Sequence, residues 1–153
     1  MAIEPLSPVE IERAARVAGQ LHAAWKAWLG ALPSGLQSAS GLSRGLGVDR
    51  TTCQRLVHAV RSGFDGPALL SRVPGIPGLR GLLAAGAGHV PPEMHEAATA
   101  ALGAFAALID DVGGSQTRLV RRLDVSGAEL GAGAGPVGAD EEDERRLLFE
   151  AAA

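Results

Sequence analysis

The sequence predicts an all-α protein. Two long segments repeat apolar residues at alternating spacings of three and four, Pro and Ser open segments that Gly closes, and no alternating run long enough for a strand is evident. The apolar content of 46% is mostly Ala, Leu and Val, with 3% aromatic residues and no Tyr. A core of that kind suits closely packed helices, because Ala costs least in a helix and lets backbones approach. The 153 residues are enough to bury a core.

Ser7, Pro8 and Glu10 form the first helix start: Ser as N-cap, Pro at the first helical position and Glu three residues past the cap to close a capping box. The helix is expected to run to about Leu32. Its apolar seam is Ile11, Ala14, Ala18, Leu21, Trp25, Trp28 and Leu32. Such a seam suits packing along another helix, either within the chain or across a dimer. Pro33, Ser34 and Gly35 stop it, and two shorter helices are expected over residues 37–46 and 50–61, the second capped by Asp49 and stopped by Gly63.

Residues 64–78 carry Pro67, Pro74 and Pro77 among Gly66, Gly75 and Gly78, which predicts a connector or a helical turn rather than a β wing. A second long helix is expected from Glu93 to about Val112. Met94, Ala98, Ala101, Leu102, Phe105, Leu108, Ile109 and Val112 share one of its faces. Gly113 and Gly114 end it, and Ser115 caps a short helix to Leu123. Residues 127–139, rich in Gly and Ala, read as a flexible linker. Residues 140–153 open with five acidic side chains, which suit a helix N-terminus. That terminal helix reads either as the start of a further domain or as a segment needing a partner for Leu147, Leu148 and Phe149. The expected organisation is thus a long helix with two short ones over 1–66, a helical domain over 67–126, the linker, and the acidic helix.

Residues 42–57, LSRGLGVDRTTCQRLV, carry the most specific pattern. Ser43 is small where two helices cross, Gly47 permits a sharp turn, and Val48, Cys53 and Leu56 fall where apolar side chains pack back on the first helix. The stretch resembles the helix-turn-helix of bacterial transcriptional regulators, with Cys53 where Val is usual and Ser43 where Ala is usual. Both departures keep a small or apolar side chain. The resemblance implies a DNA-reading second helix with Arg50, Thr51, Gln54 and Arg55 toward the major groove. Arg44 and Arg61 would lie nearer the phosphates.

Formal charge is −3 overall, but residues 37–61 carry Arg44, Arg50, Arg55 and Arg61 against Asp49 alone. A local basic patch is what phosphate contact needs, since screening limits the relevant field to about 8 Å. The expected partners are double-stranded DNA and a second copy of the chain, because a lone unit offers few contacts. Trp25 and Trp28, or Met94, Phe105 and Ile109, are the candidate dimer surfaces. The alternative is a helical protein-interaction or ligand-sensing module that keeps the unit only for packing.

Other chemistry finds little footing. The four His are scattered, Cys53 lies in no nucleophile motif and cannot form an internal disulfide, and Glu93, His95 and Glu96 lack the spacing of a metal site on one helix face. No phosphate-loop motif is present. Residues 73–83, VPGIPGLRGLL, faintly resemble a helix-hairpin-helix, but Pro77 stands where the second Gly belongs and removes a backbone donor. No leader opens the chain, and no apolar run nears the ~20 residues that span a bilayer. A cytoplasmic protein is expected, without cofactor, catalysis or membrane association.

Overall fold

A computed structural model describes residues 3–134, and every regular element in them is helical. Helix α1 (Pro8–Ala31) forms the spine. Its capping box is complete: the Glu10 amide donates to Ser7 Oγ at 3.1 Å and the Ser7 amide donates to Glu10 Oε1 at 2.9 Å. At the far end Leu32 is extended, as a residue before Pro must be, and the Gln37 side-chain amide donates to the Gly30 and Leu32 carbonyls.

The α1 seam is buried inside the chain. Ala14, Ala18, Leu21, Trp25, Trp28 and Leu32 are buried and Ile11 is half-buried. Helix α5 (Pro92–Leu108) and the 3₁₀ turn Gly66–Ser71 cover most of this face. The dimer surfaces expected from the sequence are corrected accordingly: Trp25 is 1%, Trp28 0%, Phe105 0% and Ile109 6% exposed. Only half-buried Met94 keeps surface to offer. Burial of these side chains within one chain removes the apolar area that would drive association.

Helices α2 (Ala39–Leu46) and α3 (Arg50–Arg61) pack on each other. Ser38 caps the first through the Gly41 amide and Asp49 caps the second through the Thr52 amide. Helix α2 begins at Ala39, two residues later than expected, and a separate 3₁₀ turn, Ser34–Leu36, occupies the break before it. Where a wing was excluded, the chain forms the 3₁₀ turn Gly66–Ser71.

Helix α4 (Ile76–Gly86), which was not expected, begins within the last residues of the stretch 64–78 read as a connector or helical turn. Pro77 sits in its first turn, where a missing N–H costs nothing, so the residue that argued against a helix opens one. Leu79, Leu82 and Leu83 anchor the helix in the core. Residues 72–75 lie between the 3₁₀ turn Gly66–Ser71 and α4, and Pro77 in the first turn of α4 withholds one of the backbone donors that a helix-hairpin-helix would offer.

Past α5 the chain widens into a π turn, Ile109–Gly113, closed by left-handed Gly114. Helix α6 (Gln116–Ala134) follows. It extends through residues 127–134, so the first part of the expected linker is helical. Residues 135–139 and the expected acidic helix of residues 140–153 lie outside the described residues. One hydrophobic cluster draws from Leu6 through Leu119, so the expected boundary at residue 66 divides no core.

Arg122 on α6 clasps the N-terminal segment, donating to the Glu4 and Pro5 carbonyls at 3.0 and 3.1 Å and meeting Glu10 Oε1 at 3.2 Å. The Leu6 amide donates to Ser126 Oγ at 2.7 Å nearby. The Ser7 amide holds the Glu10 carboxyl below the usual carboxylate range; burial opposes it, and the Arg122 guanidinium adds a further, smaller lowering. A carboxyl with a lowered folded pKa stabilises above its unfolded value of about 4.3 and loses that contribution as pH falls toward the folded value. Glu10→Gln keeps the capping geometry and removes the charge. Its melting temperature is expected to lie below wild type at neutral pH and to converge with it in acid. Parallel melting curves against pH would refute this linkage.

Candidate nucleic-acid interface

The α2–α3 unit is built around three residues. Gly47 adopts φ +70° and ψ 28°, the left-handed turn that reverses the chain. Ser43 Oγ donates to the Val48 carbonyl at 2.7 Å, and the Cys53 thiol lies 3.8 Å from the same oxygen. A hydroxyl at position 43 therefore ties the turn to α2, which Ala in its place could not do. Leu42, Cys53 and Leu56 are fully buried between the helices, and Val48 is half-buried. Burial, and secondarily the Asp49 carboxylate, push the Cys53 thiol up, so it stays protonated and packs as a small apolar group.

All six residues singled out for DNA contact are exposed, but they do not share one role. Arg44, Arg50, Thr51 and Gln54 have side chains with no recorded hydrogen bond or ion pair to other described residues. Arg55 Nη2 donates to the Ser71 and Val73 carbonyls at 3.2 and 3.1 Å. Arg61 donates to the Gln37 carbonyl. These two guanidiniums therefore stitch α3 to the turn after it and to the segment before α2. His58 extends the exposed stripe one helical turn beyond Gln54, a position legible from the i, i+4 spacing but not singled out from sequence.

Beside the N-terminal half of α3 lies a cleft of about 540 Å³, bounded by α3, the entry to α4 and the first turns of α6. Thr51 and Arg55 of α3, Ser71 and Gly78 of the segment around the start of α4, and Gln116 and Arg121 of α6 line it. No Asp or Glu lines it. Gln116 and Arg121 reach α3 only through the fold, and no local spacing in the sequence announces them.

Compared with protein-family models, with curated proteins and with solved structures, the chain finds no match.

Proposed function

We propose that the chain is a sequence-specific DNA-binding protein of the bacterial transcriptional-regulator kind, reading the major groove with α3. The observation that carries this reading is the exposed N-terminal half of α3, where Arg50, Thr51 and Gln54 stand free past a left-handed Gly47 turn. Arg pairs bidentately with guanine and Gln with adenine, and each such pair discriminates by about 1–3 kcal/mol. Arg44 is placed for a phosphate. Arg55 and Arg61, held by carbonyls, act as braces for the reading helix rather than as readers. Such a role belongs to the compartment that holds the DNA, in bacteria the cytoplasm, and assigns no catalysis and no cofactor. A homodimer on this reading would use surface other than the buried Trp seam.

Fluorescence anisotropy against duplexes selected from a random pool tests the reading. Wild type should bind with an affinity that falls steeply with salt. Arg50→Ala should bind about ten- to a hundredfold more weakly, with unchanged circular dichroism. Absence of salt-dependent duplex binding by wild type would defeat the proposal. The second reading, a packing unit in a ligand-sensing or protein-interaction module, draws on the carbonyl contacts of Arg55 and Arg61. It requires a wild type with no duplex affinity even at low salt.

A further inference from the structure

We propose that the cleft beside α3 is a phosphate-binding site, with Arg55 and Arg121 as its two cationic donors. Three features of the cleft point to this chemistry. The first is unneutralised charge. Arg13, Arg72 and Arg122 each meet a carboxylate, Asp111, Asp65 and Glu10 respectively, whereas Arg55 and Arg121 meet none among the described residues. With no acidic residue in the lining, both charges act on whatever enters.

The second feature is preorganisation. The Ser71 and Val73 carbonyls hold Arg55 through Nη2, which fixes the guanidinium plane while leaving the Nε and Nη1 donors free. A carbonyl orients a guanidinium without cancelling its charge, as a carboxylate would. Phosphate geometry matches the remaining fork of donors.

The third feature is the neutral lining. Thr51 and Thr117 supply hydroxyls and Gln116 an amide, and the α4 N-terminus, with no side-chain cap, meets the cleft at Gly75 and Gly78. Its unpaired amides and helix dipole add to the field of the two arginines. The volume of about 540 Å³ exceeds a phosphate alone and accommodates a phosphate ester with part of what it is attached to. The phosphate could come from the DNA backbone, since Thr51 belongs both to the exposed α3 face and to the cleft, or from a small phosphorylated molecule. The recognition chemistry is the same.

The test uses the full chain with inorganic pyrophosphate as the probe, titrated calorimetrically at constant ionic strength, and the duplex-binding salt slope as a second arm. Arg121→Gln is exposed and outside the core, so it should fold. Arg118→Gln, exposed on the same helix but not in the lining, is the control. Pyrophosphate should bind wild type, bind Arg121→Gln about tenfold more weakly, and bind Arg118→Gln as it binds wild type. If the source is the DNA backbone, Arg121→Gln should also weaken duplex binding uniformly across sequences and reduce the salt slope by about one. If the source is a small molecule, the pyrophosphate result stands alone and duplex binding is unmoved. A chain that fails to bind duplex at all leaves the pyrophosphate arm intact, so failure of the DNA reading is distinguishable. The proposal is overturned if Arg118→Gln loses as much as Arg121→Gln, or if Arg121→Gln moves neither readout.

Discussion

Trp28→Ala is expected to destabilise the protein by about 3–5 kcal/mol, the cost of emptying a large aromatic site in a core that relaxes only partly. Trp28 is 0% exposed, its ring centroid lies 5.0 Å from that of Trp25, and it abuts Gly86 on α4 so closely that a Cβ there would collide with the indole. The side chain therefore joins α1 to α4 as well as filling space. Trp28→Phe separates two contributions. The Trp28 Nε1–H is buried without a hydrogen-bond partner, and an orphaned donor costs about 1–3 kcal/mol. Phe removes that orphan while losing part of the ring, so it should recover most of the stability that Ala loses. Thermal and denaturant unfolding read both variants. Trp28→Ala within about 1 kcal/mol of wild type would show that α1 is not held by this contact. A Phe variant as unstable as the Ala variant would show that the indole's size, not its unpaired N–H, sets the balance.

The Trp pair also shows what a single sequence can and cannot resolve. The spacing of Ala14, Ala18, Leu21, Trp25 and Trp28 identified the buried face of α1, because a helix presents those positions on one side whatever covers them. It could not say whether the cover was α5 of the same chain or another copy, since both present the same kind of apolar surface. Helix α4 was hidden for a different reason: Pro74, Gly75 and Pro77 are loop residues by propensity, and only their position in a first turn makes them a helix start. At the site, the bounds of α3 and the exposure of Arg50 and Gln54 were local and therefore legible. The bracing of Arg55 by Ser71 and Val73, and the presence of Arg121 in the lining of the same cleft, depend on how the later helices return, which no local periodicity encodes.

Gly47→Val is expected to cost about 3 kcal/mol and to lower the melting temperature by roughly 10 °C, through the backbone alone. Gly47 has φ +70° and is exposed, and a Cβ built there meets nothing within 4 Å. Steric exclusion by neighbours therefore plays no part. The cost comes from the clash of a branched Cβ with its own peptide in the left-handed region, where ordinary L-residues already lose about 1–2 kcal/mol. Asn tolerates that region through its short polar side chain. Gly47→Asn should accordingly stay within about 1 kcal/mol of wild type, Gly47→Ala should fall between, and Val should be worst. This ranking follows conformational preference rather than size, since Asn is close to Val in volume. A Val variant that melts with wild type, or an Asn variant that melts with Val, would mean that the chain reverses between α2 and α3 by another conformation. Ser43 would then lose its hold on the Val48 carbonyl, and Arg50 would no longer project from the start of a rigid helix.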